Sequence, residues 1–386
     1  MAAPCEAKTS FQRRGKSKNF SARGTRPSLH NGQLLISTGV PSLDHLLGGG
    51  LVVGSVLLIE EDTFGSYANL LLRYFLAEGV MCGHGLMVAS AEEQPKHLLK
   101  ALPHPVDDDK ETTQRMDEEK MKIAWRYQHL PQHQLSETGQ QFGHSYDLNR
   151  LMGESRLTTV KTNCFYLPSE KISHHDNSIN PAYQRLFSKV ESEITEGGYS
   201  LTADAAKSQG VTNRNILRLG IHSLASPLWE VNSIQQSTVS LCRFLHALRG
   251  ILRVSLAVCV LTIPTHLYQD ESKVRRIERL CDTVIRLESF AGSDKETNPV
   301  YKEYHGLFHI RRLPRLNSLT SYLPDSLDLA FKLRRKKLTI EKLHLPPDLS
   351  ETVSRSQEDP AKKAARNASV SAFSCSSSLT ERKLDF

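Results

Sequence analysis

Short, mostly β-branched apolar runs recur along the chain, separated by stretches with helical spacing. They fall at Val56–Ile59, Leu86–Ala89, Ile216–Ile221, Ser255–Ile263, Thr283–Leu287 and Leu307–Ile310. A strand that is apolar on both faces has to be covered above and below. Their alternation with helices therefore predicts an α/β fold, a mostly parallel sheet flanked by helices. The 386 residues allow about two domains, or one large domain with tails. An apolar fraction of 39% is below the usual ~45–50%, so part of the length should stay unpacked. Residues 1–27 carry Lys8, Arg13, Arg14, Lys16, Lys18, Arg23 and Arg26 against one acid, Glu6, and read as a disordered basic tail. Residues 346–386 start at Pro346-Pro347, turn to Ser, Lys and Ala, and read as a second one. Between them a single unit spans 28–345, with mobile inserts near 104–120, which is acidic, and 197–213, rich in Gly, Ser, Ala and Asn.

Several classes drop out on composition. The longest apolar run, Leu256–Ile263, is far short of the ~20 residues a membrane helix needs. The first thirty residues lack the apolar core of a secretion signal. Seven cysteines with no C-x-x-C pair argue against a disulfide framework and a structural zinc site. His174-His175-Asp176 lie side by side without tetrahedral spacing, so no metal and no cofactor is expected. The chain reads as a soluble intracellular protein.

The most informative stretch is Ser37-Thr-Gly-Val-Pro-Ser-Leu-Asp-His-Leu-Leu-Gly-Gly-Gly-Leu51, then Gly54-Ser-Val-Leu-Leu-Ile59. Leu43, Leu46 and Leu47 make one face of a short helix, and Gly48, Gly49 and Gly50 end it in positive φ. This order resembles the lead-in to a RecA-like ATPase core. The phosphate loop G-x-x-x-x-G-K-[ST] should follow, its amides cradling phosphate and its Lys reaching the terminal phosphates. The chain instead reads Glu60-Glu-Asp-Thr-Phe-Gly65-Ser-Tyr-Ala-Asn69. The Lys position falls at Ala68 and the magnesium-binding hydroxyl at Asn69; only Gly65 remains. Glu60, Glu61 and Asp62 put negative charge where a polyphosphate would sit, which implies a degenerate, non-catalytic loop. Glu92 and Glu93 stand where a RecA-like core keeps the glutamate that activates water. The alternative, favoured without a phosphate-binding Lys, is that they open the helix through His97–Lys100.

Further strings are Met121-Lys-Ile-Ala-Trp-Arg-Tyr-Gln128, Phe142-Gly-His-Ser-Tyr-Asp147, Asn215–Trp229, Ile263-Pro-Thr-His266, Cys281–Phe290 and Thr297–Gly306. Together with the degenerate loop they resemble the family of the fourth Elongator subunit over roughly residues 23–355, and again at Leu384-Asp-Phe386. That resemblance implies a hetero-hexameric ring with the fifth and sixth Elongator subunits, all RecA-like. It also implies attachment to a catalytic lobe that modifies wobble uridines of transfer RNA, and residence in cytoplasm and nucleus. The implied role is an accessory ring subunit, non-catalytic or weakly catalytic, that helps bind or release tRNA, with any ATPase activity belonging to the assembled ring. Two rivals stay open: an active RecA-type ATPase with a site shared between subunits, and a RecA-paralogue mediator of DNA recombination.

Candidate RNA or interface residues follow from charge and aromaticity. Trp125, Arg126 and Tyr127 place two rings around a guanidinium, suited to base stacking or to an interface, or else to a buried strand. Lys273, Arg275, Arg276 and Arg279 cluster on a helix, and Arg311, Arg312 and Arg315 on a strand and its exit. Phe331–Leu338 reads as a basic helix against RNA or an import signal. Trp229 reads as core.

Overall fold

The computed structural model describes residues 22–28, 32–106, 142–170, 180–201, 215–230, 234–316 and 322–344. Trp125, Arg126, Tyr127 and His174–Asp176 lie outside the described residues, as do most of both inserts and tails.

The chain begins with a small antiparallel sheet of Thr25–Pro27 (β1), Leu34–Ile36 (β2) and Leu51–Val52 (β3). This strand pairing starts before residue 28, inside the stretch assigned to the basic tail. The reason is local: Arg26 donates to the Gly49 carbonyl at 2.5 Å and lies 3.9 Å from the centroid of the Phe142 ring. Between β2 and β3 runs Pro41–Leu46 (α1), closed by Gly48, Gly49 and Gly50 at φ 79°, 118° and 130°. Asp44 of α1 accepts from Ser37 Oγ at 2.5 Å and from the Thr38 amide at 2.7 Å, which fixes the approach to the sheet.

Then come Val56–Glu60 (β4), Ser66–Cys82 (α2), Gly85–Ser90 (β5) and Pro95–Lys100 (α3). Pro103–Pro105 (β6) pairs with Tyr146–Leu151 (β7), so the strand takes in the first residues of the expected acidic insert. Thr162–Tyr166 (β8), Pro181–Glu196 (α4), Leu217–His222 (β9), Ile234–Arg253 (α5), Ala257–Ile263 (β10), Glu271–Leu280 (α6) and Thr283–Ser289 (β11) continue the alternation. Gly306–Arg312 (β12), Leu329–Arg334 (β13) and Lys337–Lys342 (β14) complete it.

The main sheet has nine strands in the order β14-β13-β12-β11-β4-β10-β9-β5-β8. From β11 to β8 every neighbour pair is parallel, and β12 to β14 extend the sheet antiparallel. β4 shows why its run is continuously apolar. Leu57 and Ile59 pack under α2 with Leu72 and Leu76, while Val56 and Leu58 pack with Tyr183 of α4 and Leu245 of α5. This is the expected α/β architecture of a RecA-like core. Trp229 is fully buried, its ring stacked with those of Phe165 and Tyr183.

Phe331–Leu338 is not a helix. It forms most of the β13–β14 hairpin: Phe331 pairs with Ile340 across the two strands, and Leu338 and Ile340 alternate inward along β14, a strand period rather than a helical one. Lys332 is buried there and pairs with Glu341 at 2.6 Å. Tyr74 of α2 accepts from the Leu338 amide at 3.2 Å, and Ser42 of α1 from the Ile340 amide at 3.1 Å. Among the described residues no helix is long and apolar enough to cross a membrane.

One buried polar network ties these layers together. Arg218, near the start of β9 and fully buried, donates to the carbonyls of Ser37 at 2.8 Å and Phe75 at 3.0 Å, and to His84 Nδ1 at 3.0 Å. Nearby Glu78 of α2 accepts from Tyr146 Oη at 2.6 Å and from the His144 amide at 3.1 Å. Burial alone would raise the Glu78 pKa, but the His144 hydrogen bond, Arg218 and Tyr146 outweigh it and hold the carboxyl down to about 2.

Candidate nucleic-acid interface and the closed nucleotide crevice

In an open α/β sheet the ligand crevice lies beyond the C-terminal ends of the parallel strands. Here that edge carries the loop from β4 to α2. Gly65 adopts φ 66° and caps α2, so its survival from the phosphate-loop pattern has a backbone reason. The first amides of a helix are an anion site. They are already taken: the Asp62 carboxylate accepts from Ser66 at 3.2 Å, Tyr67 at 3.1 Å and Ala68 at 3.2 Å. Asp62 is fully buried in this position, and the Ala68 methyl faces the apolar core. Asn69 sits half-buried one residue on. An internal carboxylate thus occupies the anion site formed by the first amides of α2, and the Ala68 side chain points into packed hydrocarbon.

The two acids before it are also buried. Glu60 accepts from Thr265 Oγ1 at 3.3 Å and has Arg286 Nε at 4.0 Å. Burial, followed by neighbouring Glu278, pushes its pKa up to about 7 against the pull of Arg286 and Arg311. Burial also pushes Glu61 up to about 7, with Glu92 and Asp62 adding to it and hydrogen bonds from Thr262 and Ser223 opposing. Among the described residues the Oε1 atoms of both have no hydrogen-bond partner.

Glu92 and Glu93 do not open α3. Pro95 starts that helix behind Gln94, and no acid lies in its first turn. The fixed φ of Pro suits the first helical position, which moves the helix start past both acids. Their amides instead donate to Ser90 Oγ, each at 3.2 Å. Ser90 Oγ lies 3.4 Å from His222 Nδ1, and burial lowers the His222 pKa despite Glu92 and Glu93.

The basic candidates divide. Arg279 of α6, Arg311 and Arg312 of β12, and Arg315 just beyond line one groove of about 490 Å³. Arg312 has a structural duty, donating to the Arg279 carbonyl at 2.7 Å and closing the end of α6. Arg279, Arg311 and Arg315 are exposed. Arg275 is exposed outside this groove and paired with Glu271 at 3.0 Å, and Arg276 is exposed on the same helix. Leu323 and Leu327, 74% and 58% exposed, form the apolar wall of the groove. Charge clustering in the sequence finds the arginines; these leucines carry no such signal. Asp62 is recognisable only as an acid ahead of a helix start.

The family profile described as PAXNEB protein matches residues 18–386. A Xenopus laevis protein named Elongator complex protein 4 is 46% identical, with all of both chains covered. A human protein of the same name is 48% identical over 93% of this chain and 90% of its own length. The Drosophila melanogaster protein of that name is 32% identical over 89% of this chain and 94% of its own. A shared profile over nearly the whole length, and close relatives under one name, place this chain in the PAXNEB family, with the Elongator complex protein 4 proteins.

Proposed function

We propose that this chain is a non-catalytic subunit of the Elongator complex, seated with the fifth and sixth subunits in a RecA-like ring. Its part is to support wobble-uridine modification by helping to hold or release tRNA. The observation that carries this reading is Asp62 on the amides of α2, which fills the phosphate position with the chain's own charge. The groove of Arg279, Arg311 and Arg315 supports the RNA side of it. The ATPase reading lacks a phosphate-binding Lys and has Glu61 buried beside the loop.

Calorimetric titration with magnesium-ATP should show no micromolar binding. Ala68→Lys should not restore it, because that side chain starts from the core and Asp62 still holds the amides. Asp62→Ser should vacate them and improve phosphate binding about tenfold, a change within the ~2 kcal/mol reach of a helix-terminus site. Micromolar ATP affinity in the unaltered chain, lost on Gly65→Ala, would reverse the reading. Co-expression with the fifth and sixth subunits should give one discrete assembly; a monomer that ignores both in light scattering would remove the ring.

A further inference from the structure

Carboxylates crowd the ends of the parallel strands: Glu61 and Asp62 after β4, Glu92 and Glu93 after β5. The charge of Asp62 is met by the α2 amides. That of Glu61 is met only in part, by hydrogen bonds from Thr262 and Ser223. Glu61 is only 9% exposed, and among the described residues its Oε1 finds no hydrogen-bond partner. A buried, unpartnered carboxylate oxygen is costly until a donor reaches it. Beside it on the same loop, Phe64 is 66% exposed, a bare aromatic of the kind that anchors protein partners. The grouping of acid, Cys and His close enough to hold a metal ion, among the described residues, lies elsewhere, at Glu78, Cys82 and His144. A long side chain that brings its own N–H donors therefore suits the crevice better than an ion.

We infer that the crevice receives a basic side chain, Arg or Lys, from a neighbouring protein chain, with Glu61 as the inner acceptor, Glu92 at the mouth and Phe64 as the apolar anchor. The cation thus replaces the nucleotide that a RecA-like interface would otherwise hold. The inference rests on the ring reading and names the contact inside it. Facing Glu61 are Asp62 on its own loop, Glu92 from the loop after β5, Ser223 after β9 and Thr262 of β10. His222 feels Glu92, Glu93 and Arg73 as charged neighbours. Free Glu61 holds its proton up to a pKa of about 7. An arriving cation lowers that value, so docking releases a proton and tightens as pH rises.

The test follows the dissociation of the co-expressed assembly by mass photometry between about pH 6 and pH 8. One proton released from a group at about 7 tightens the unaltered assembly about tenfold across that window. Glu61→Gln should weaken it about tenfold at the upper end and flatten the pH dependence, and Glu92→Gln should weaken it by about threefold. The melting temperature of the Glu61→Gln chain should not fall, since an amide sits in that burial more easily than a carboxylate. An assembly indifferent to both substitutions, with its pH slope intact, would overturn this inference alone. Failure of the unaltered chains to assemble at any pH would overturn the ring reading and this one with it. Assembly that needs added magnesium and is undone by EDTA only when Glu61 is present would put a metal ion there instead, which also overturns it.

Discussion

Replacing Arg218 by Met will cost the fold about 3–5 kcal/mol, a large share of the ~5–15 kcal/mol that holds a domain together. The guanidinium is fully buried, and its loss would strip donors from two carbonyls and from His84 Nδ1 while leaving Glu78 charged beside it. Arg218→Lys should recover only part of the loss, because an ammonium cannot present the planar fork that meets Ser37, Phe75 and His84 at once. Arg275→Met, at an exposed ion pair on α6, should change stability by less than about 0.5 kcal/mol. Urea unfolding followed by circular dichroism reads all three. The acid limb gives a second readout. Glu78 is held at about 2, below its ordinary value of 4.5. Its stabilisation is therefore complete above pH 4.5 and is lost as pH falls through about 2; at ~1.36 kcal/mol per pKa unit it amounts to about 3 kcal/mol. Removing Arg218 should move acid unfolding to higher pH. An Arg218→Met chain with an unchanged urea midpoint would show that the network is incidental to stability.

Reversing Arg279, Arg311 and Arg315 together to Glu should weaken tRNA binding by the assembled ring more than tenfold at low salt. Each phosphate contact contributes about 0.7–0.9 to the slope of log affinity against log salt, so the slope should lose about two to three in magnitude. The loss should be the same for every tRNA, since phosphate contacts carry no sequence information. Arg312 is left in place because its bond to the Arg279 carbonyl closes α6, and removing it would confuse binding with folding. Unchanged affinity and slope would take this groove off the RNA surface.

The sheet was legible because burial on both faces leaves a plain mark, as at Val56–Ile59 and Ala257–Ile263. The turn at Gly48–Gly50 was legible because left-handed backbone selects glycine. Charge misled where it was counted without period. The basic residues from Lys332 to Lys337 suggest a surface helix, yet Phe331, Leu338 and Ile340 pack into the core as strand residues and make the segment a hairpin whose tip, 333–337, is exposed. Arg218 was hidden inside an apolar run, since its burial depends on β9 lying in the interior of the sheet and on where His84 and Phe75 arrive. Nor could the sequence say which acid of Glu60, Glu61 and Asp62 would turn onto α2; that follows from the loop geometry at Gly65.

The strand order also sets a timetable for the ribosome. β4 lies between β10 and β11, and the Val56 amide is bonded to Asp282, 226 residues later. At a synthesis rate of ~5–20 residues per second the apolar strand β4 waits about 11–45 s for both of its neighbours. The bond from Leu338 to Tyr74 closes later still, across 264 residues. The nascent chain thus passes its most adhesive period with its middle strand bare. Newly made chains should depend on a chaperone even where the finished protein does not.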